Sequence, residues 1–425
     1  MRLIINFFSK LGVDSFSRLI GFITLPVITR ALGPEGYGQF SYLFVILSYF
    51  GFFIDFGYLN YGTNKLCDKE NSSKVVGNII SLQLLTLIIS FFTLVIIAYF
   101  FLDFSKYILL IIFSSTFISQ IFSIRYYYLA NNKLYYNSLS ELCGQIVYAS
   151  LIFLIFINYP SVFTLVILTV IQTFVTAFFL FIPVIRKISI MINLSFKNNF
   201  NTLKEAYKLG LASKAEAITV SFIILSIGFF LNEESVGLYN ASYKIYLILL
   251  TVIQGVSYTL MPVLLKNIKS PEKDNFRYIS LIFYTYLGIG LILFLTTFIF
   301  SSEIINIIFG EKFIKSISIL RSFSITILLW PIVMFCGLMI LAFNKFNYIL
   351  ATTFSSAVFS VIFSLIFIHL FNINGAGYVL PVVALCTIGV SLYYLNLIGK
   401  SQNFSIVKIF SINNAFLDFK NIIKK

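Results

Sequence analysis

The chain holds 425 residues, 59% of them hydrophobic and only 11% charged, which is far more apolar surface than a soluble core of that length can hide. A formal net charge of +14 would suit a nucleic-acid partner, but the basic residues are dealt out by loop parity and never gathered into one patch, which excludes that class.

Twelve apolar runs are expected as spans, at 11–32, 40–62, 79–101, 106–129, 139–157, 162–184, 207–231, 241–265, 279–300, 316–341, 349–370 and 377–398. Each is about 20 residues long, enough to cross roughly 30 Å of hydrocarbon. They are continuously apolar, whereas barrel strands alternate, so the fold class is an all-α polytopic membrane protein. Met1 to Gly12 carries two basic residues, Arg2 and Lys10, and no small-residue cleavage site, which reads as the start of an uncleaved first helix.

Of the 30 Lys and Arg, only Arg30, Lys106, Lys312 and Lys315 fall in odd-numbered loops, while Arg18, Arg125, Lys214, Lys244 and Arg321 lie within spans. The others sit at the termini and in even-numbered loops. By the positive-inside rule both termini face the cytoplasm, as an even number of spans also requires. Arg186 to Ala206 is the longest polar connection, read either as a basic strap along the headgroups or as a plain tether. The expected division is a first six-helix lobe at 1–190, a cytoplasmic linker at 191–206, a second six-helix lobe at 207–400 and a cytoplasmic tail at 401–425. Cys67, Cys143, Cys336 and Cys386 form neither a disulfide framework nor a metal-binding pair, and no cofactor is expected.

The second six runs repeat the first six in order and at nearly constant spacing. Lys10-Leu11-Gly12 recurs as Lys208-Leu209-Gly210, Pro34-Glu35-Gly36-Tyr37-Gly38 as Glu233-Glu234-Ser235-Val236-Gly237, and Ile80-Ser81-Leu82 as Ile279-Ser280-Leu281. Leu129-Ala130-Asn131-Asn132-Lys133 recurs as Leu341-Ala342-Phe343-Asn344-Lys345. Repeats of six helices share one orientation, so the two lobes are parallel repeats related by an axis along the membrane normal, forming a V around a central cavity. Such doubling is the plan of a transporter.

Phe16 to Phe40, with Leu32-Gly33-Pro34-Glu35-Gly36-Tyr37-Gly38 at its end, closely resembles the opening of Wzx-type polysaccharide-repeat flippases of the MOP exporter superfamily, and the resemblance continues through Asp55-Phe56-Gly57 to Lys65. It returns at Val236-Gly237-Leu238-Tyr239-Asn240-Ala241 and at Met261 to Lys266. The resemblance implies a MATE-like fold in the bacterial inner membrane and a carrier that turns over undecaprenyl-pyrophosphate-linked oligosaccharide, such as a lipopolysaccharide O-antigen unit. It also implies a polysaccharide polymerase and chain-length machinery as possible partners, besides membrane lipids.

A pyrophosphate and a hydrated glycan need a polar, cationic path. A basic residue at the centre of a membrane helix costs about 2.5–3.5 kcal/mol on insertion scales and is an expected functional site. Arg18 is the first candidate, with Asp14 one turn earlier and Gly21 continuing its face. Lys214, Lys244 and Arg321 are the candidates of the second lobe, and Gln254 shares a polar face with Lys244, Leu247, Thr251 and Tyr258. Arg125 is expected to snorkel to the headgroups. Asp14, Asp55, Glu141 and Glu216 are candidates for ion coupling or for neutralising these cations, and Glu141, Gln145 and Tyr148 make a stripe. Pro26 and Pro262 are candidate kinks. At matched repeat positions Lys244 meets Val45 and Arg321 meets Leu109, so the charges are not duplicated.

No Walker A loop is present, and the one histidine, His369, cannot build a metal cluster. The outer loops leave no room for a glycan polymerase, which makes an enzyme the weakest alternative. A multidrug or peptidoglycan-precursor exporter of the same superfamily is the nearer rival; a drug exporter would prefer acids to a cationic lining.

Overall fold

Backbone polar groups in hydrocarbon must be satisfied within their own segment, which leaves helix as the state open to long apolar runs. The computed structural model describes residues 2–188, 196–269 and 275–401, and these are helical nearly throughout, with no strand among them. The chain is an all-α membrane protein.

It begins with α1 (Arg2–Ile54), whose 53 residues would reach roughly 80 Å at about 1.5 Å per residue, well over two hydrocarbon thicknesses. It is two limbs. The break is Gly33 (φ 66°, ψ −178°), a left-handed φ that favours glycine, and Pro34 opens the second limb where its missing N–H removes no bond. After an interruption at Asp55–Gly57 come α2 (Tyr58–Cys67), α3 (Ser72–Phe101), α4 (Phe104–Ser114), α5 (Thr116–Phe122), α6 (Arg125–Ala130) and α7 (Leu134–Leu151), then a wide π turn at Ile152–Phe156 and α8 (Val162–Ile185). The second half holds α9 (Phe196–Phe230), α10 (Glu233–Lys269), α11 (Asn275–Ile299), α12 (Ser301–Ile308), a 3-10 turn at Glu311–Phe313, α13 (Ser316–Ala342) and α14 (Phe346–Ser401). The last is again two limbs, broken at Asn372 (φ 52°, ψ −137°). A Cβ on nearby Gly375 would run into the Phe367 carbonyl, so the chain folds back tightly there.

Against twelve expected spans, nine helical stretches among the described residues are long and apolar enough to cross a bilayer. Two of the nine, Phe16–Cys67 and Phe346–Lys400, contain the breaks at Gly33 and Asn372 and have the length for two passes each. The chain stays helical through Pro26 and Pro262, and the non-helical breaks fall elsewhere. α9 begins at Phe196, inside the stretch read as a linker; residues 191–195 and the tail from 402 lie outside the described residues.

The chain divides into two compact units, Met1–Lys214 and Ala215–Lys425. In the first, α1 lies against α3, α7 and α8, and α2 lies against α6. Leu43, Val76, Ile79, Leu110, Phe113, Phe117 and Leu180 fill its core. The far side of α3 is apolar and open, with Ile89 64% and Phe100 75% exposed, while Ser81 and Ser90 are buried. That inversion suits lipid, where tight packing of small residues replaces the hydrophobic effect between helices. The Ser81 hydroxyl donates to the Gly77 carbonyl at 2.7 Å, so its burial leaves nothing unpaired.

In the second unit α13 is central and packs on α10, α11 and α14. Phe323, Ile327, Phe335 and Ile340 are its buried face. Two serines tie α10 to α13: Ser242 donates to the Ser316 carbonyl at 2.8 Å and Ser316 donates to the Leu238 carbonyl at 2.9 Å. The loop expected at Ser301–Lys315 is folded as α12 and the 3-10 turn, with Ile305, Phe309 and Phe313 buried.

The sequence repeat has a structural counterpart. Asn132 (φ 54°) and Asn344 (φ 57°) occupy matched positions in the Leu-Ala-x-Asn-Lys repeat, and both are left-handed. The following Lys133 N–H bonds Tyr128 O at 2.8 Å and Lys345 N–H bonds Ile340 O at 3.3 Å. This is one helix-ending motif used twice. Ser81 and Ser280, also matched, are both fully buried.

Gly57 (φ +84°) meets Gly210 backbone to backbone, and a Cβ on Gly57 would run into the Ala206 carbonyl. Gly57→Ala should therefore cost about 1–3 kcal/mol in backbone strain alone, whereas Gly288→Ala, with nothing within 4 Å, should stay within about 0.5 kcal/mol. Thermal unfolding of the detergent-purified protein compares the two, and equal losses would disprove the close crossing.

Candidate functional site

The polar side chains of the first unit gather in two places. In one, Gly21 of α1 lets the Gln145 amide of α7 come close: a Cβ at Gly21 would lie 2.8 Å from Gln145 Nε2. Gln145 Oε1 accepts from Gln172 Nε2 of α8 at 2.6 Å. Gly21 of the α1 stripe thus lies against Gln145 of the α7 stripe. One turn before Gln145, Glu141 pairs with Arg125 at 3.1 Å, both half-exposed. Arg125 is therefore held by a carboxylate from a second helix. Arg18 is exposed and Asp14 half-buried. Among the described residues Asp14 takes no ion pair, so the carboxylate support expected for Arg18 from one turn earlier is not in place.

The other gathering surrounds Asp55. The helix ladder ends there: Asp55 N–H bonds Gly51 O at 3.1 Å, then Gly57 N–H bonds Asp55 O at 2.9 Å in place of Phe53 O. A second interruption lies on the fourth span, where Ile124 N–H bonds Phe122 O at 3.0 Å and Arg125 N–H bonds Ser123 O at 2.8 Å. The two breaks are neighbours. A Cβ at Gly51 would lie 3.0 Å from Gln120 Nε2, and one at Gly62 would lie 2.7 Å from the Tyr126 ring. Across the Gly57–Gly210 crossing, Phe56 stacks on Tyr207 (5.4 Å between centroids) and Lys214 Nζ sits 4.8 Å from the Phe52 ring centroid. Lys65 bridges Glu70 at 3.3 Å and Glu205 at 3.2 Å, and the Tyr61 hydroxyl donates to Thr202 at 3.4 Å.

In the second unit Lys244 is exposed on α10, Gln254 is half-buried on the same helix and Glu216 is exposed on α9; the Tyr258 side chain lies outside the described residues. Among the described residues neither Lys244 nor Glu216 takes an ion-pair partner. Arg321 Nε donates to Ser301 Oγ at 2.9 Å, and its guanidinium lies 5.8 Å from the Phe298 ring centroid. Beside it the Ser302 hydroxyl donates to Glu303 Oε2 at 2.8 Å and holds that carboxyl below its usual range. Lys315 pairs with Glu234 at 3.1 Å, both exposed.

The structure thus joins Glu141 to Arg125 and sets Lys214 against the Phe52 ring. Sequence reading passed over Gln120, Gln172 and Tyr126. Gln120 and Gln172 carry the only signal: a lone amide inside an apolar span is costly unless it is used.

The residues 3–268 match the model of a family described as polysaccharide biosynthesis protein. The chain belongs to that family, the Wzx-like flippases. No curated protein matches it in sequence. Among solved structures it is similar to an inward-facing multidrug-resistance MATE transporter of the MOP superfamily (16% identity, TM-score 0.69, 92% of this chain and 99% of that one). It is also similar to the lipid II flippase MurJ in an inward closed conformation (15%, TM-score 0.72, 98% and 92%). A third is a MOP-superfamily transporter from Pyrococcus furiosus described as having a binding pocket of reverse polarity (15%, TM-score 0.61, 95% and 96%). At such identities the likeness shows the fold, and this family member has the MOP-superfamily fold.

The half-exposed Arg125–Glu141 pair should show a coupling of about 0.5–1 kcal/mol in a double-mutant cycle of Arg125→Met and Glu141→Gln, read by thermal unfolding. The coupling should shrink in about 0.5 M salt. A cycle that closes at zero in low salt would deny the contact.

Proposed function

We propose that the chain carries an undecaprenyl-pyrophosphate-linked oligosaccharide repeat unit from the inner to the outer leaflet of the bacterial cytoplasmic membrane by alternating access, with both termini cytoplasmic. The observation that carries this reading is the set of basic side chains on membrane helices: Arg18, Lys244 and Arg321 exposed and Lys214 half-buried, in a member of the polysaccharide biosynthesis family. Hydrocarbon makes each such group expensive. A diphosphate is the cargo chemistry that returns the cost through charge-assisted hydrogen bonds.

In this reading Arg18, Lys214, Lys244 and Arg321 meet the diphosphate, and Gln254 meets the sugar hydroxyls. Asp14, Asp55, Glu141 and Glu216 balance the cations or couple the movement to an ion. The Gln145–Gln172 pair supports the reading too, since paired amides in a membrane interior offer donors and acceptors suited to a glycan. The unit would be handed to a polymerase and its chain-length machinery. A cationic drug would be repelled by this set of charges, whereas a peptidoglycan precursor shares the diphosphate and is separated by experiment.

Arg18→Glu should lower surface glycan about tenfold or more, the loss of one or two charge-assisted bonds, at normal protein level. Depletion of the wild-type protein should leave lipid-linked repeat units on the inner leaflet while peptidoglycan-precursor export continues. Undiminished glycan in the variant removes Arg18 from the path, and accumulation of the peptidoglycan precursor instead moves the assignment to that cargo.

A further inference from the structure

Two amides of the first unit stand at mid-span. Gln145 is at the middle of Leu134–Phe156 (23 residues) and Gln172 near the middle of Val162–Ile185 (24 residues), so each lies roughly 15–20 Å along its helix from either end. Gln172 Nε2 donates to Gln145 Oε1 at 2.6 Å. The two helices come together beside this bond because Gly144 leaves room for Thr176, whose hydroxyl donates to the Gln172 carbonyl at 3.0 Å. On α8, Thr169, Gln172, Thr173 and Thr176 share one face by their i, i+3, i+4, i+7 spacing. The hydroxyls of Thr169 and Thr173 donate to Leu165 O and Val170 O, each at 2.8 Å, which leaves their oxygens able to accept.

Amides that serve only to join two membrane helices can satisfy each other twice, carbonyl to N–H in both directions. This pair makes one of the two bonds. Gln145 Nε2 and Gln172 Oε1 take no hydrogen bond among the described residues. Both side chains are half-buried, so this donor and this acceptor are open, in contrast with Gln120 Oε1, which is buried without a partner. Gly21 admits the donor end: a Cβ there would lie 2.8 Å from Gln145 Nε2, and any side chain at that position would push the amide aside. Acyl chains offer nothing to such atoms, and polar side chains at this depth face water or a ligand.

We propose that Gln145 and Gln172 form a sugar-binding subsite of the first unit, in which one hydroxyl of an uncharged sugar ring accepts from Gln145 Nε2 and donates to Gln172 Oε1. That hydroxyl closes the bond which the two amides leave unmade. A hydroxyl gives and takes at a single oxygen, whereas an ionised phosphate only accepts and an ammonium only donates. The pair therefore reads the glycan and is indifferent to the diphosphate. Carriers hold their cargo near the bilayer midplane, which is the depth of this pair. The inference rests on the cargo being a glycosylated lipid and adds which residues recognise its sugar.

The test uses the full-length protein in nanodiscs and compares farnesyl diphosphate with the same diphosphate carrying glucose, galactose or N-acetylglucosamine. The wild type should bind at least one glycosylated probe about tenfold or more tighter than the bare diphosphate, as two neutral hydrogen bonds provide. The double variant Gln145→Met with Gln172→Met should bring that ratio to about one while the bare diphosphate keeps its affinity within about twofold. Gly21→Ala, which retains both amides and displaces one, should lower the ratio severalfold and gives a second route where the double variant fails to fold. No sugar preference in the wild type, or a preference that survives these variants, would overturn the proposal. Equal losses for bare and glycosylated probes would overturn it too, since they mark the pair as structural. Methyl glycosides of the same sugars separate it from the cargo assignment. If no diphosphate probe binds but the glycosides still raise Tm saturably in the wild type and not in the variants, the cargo reading falls and the subsite stands; if the glycosides also fail, both fall.

Discussion

Hydrocarbon offers no hydrogen-bond partner, and that constraint decides where this chain can interrupt its helices. Two kinds of break result. Those at Gly33 and Asn372 reverse the chain between limbs whose combined length could not fit one crossing. Those at Asp55–Gly57 and Ser123–Ile124 lie within single passes and are neighbours, and the first is also buttressed by α9 at Gly210. The first kind reverses the chain, whereas the second interrupts a stretch that could have run as unbroken helix and is held by specific contacts.

Those contacts are made by small residues, as the absence of a hydrophobic force between lipid-bathed helices requires. Gly57 against Gly210, Gly62 against Tyr126, Gly144 against Thr176 and Gly290 against Pro331 all let a neighbour approach to distances that a side chain would block. Only at Gly57 does conformation add to the steric demand, since its φ of +84° is left-handed. The crossing there also brings Lys214 over the Phe52 ring, so two segments far apart in sequence owe their contact to two hydrogen atoms in place of methyl groups.

Local features were legible in the sequence, and pairings were not. Length and continuous apolarity gave the all-helical membrane class, and the Leu-Ala-x-Asn-Lys repeat marked two helix ends that share one left-handed asparagine motif. Gly57 and Gly210 both stood in recognisable motifs, yet nothing in either motif says that they touch. Lys214 was visible as a costly intramembrane charge, but its place over the Phe52 ring passes through that glycine contact. Tyr126 gave no signal because it sits in a run with Tyr127 and Tyr128, where aromatic composition hides which hydroxyls turn inward. The pairing of Arg125 was hidden for a related reason: its partner Glu141 comes from another helix.

The duplication supplies an internal comparison for the charges. Val45 and Leu109 are 7% and 9% exposed in the first unit, whereas their repeat counterparts, Lys244 and Arg321, are exposed in the second. A packing role shared by both repeats would keep matched positions alike, as it does for the fully buried Ser81 and Ser280 and for the left-handed Asn132 and Asn344. The scaffold positions have stayed symmetric since duplication and the charged positions have not. Arg321 has local contacts with Ser301 and the Phe298 ring, whereas Lys244 takes no ion-pair partner among the described residues. What distinguishes the two halves at these positions is therefore not the packing that the repeats share.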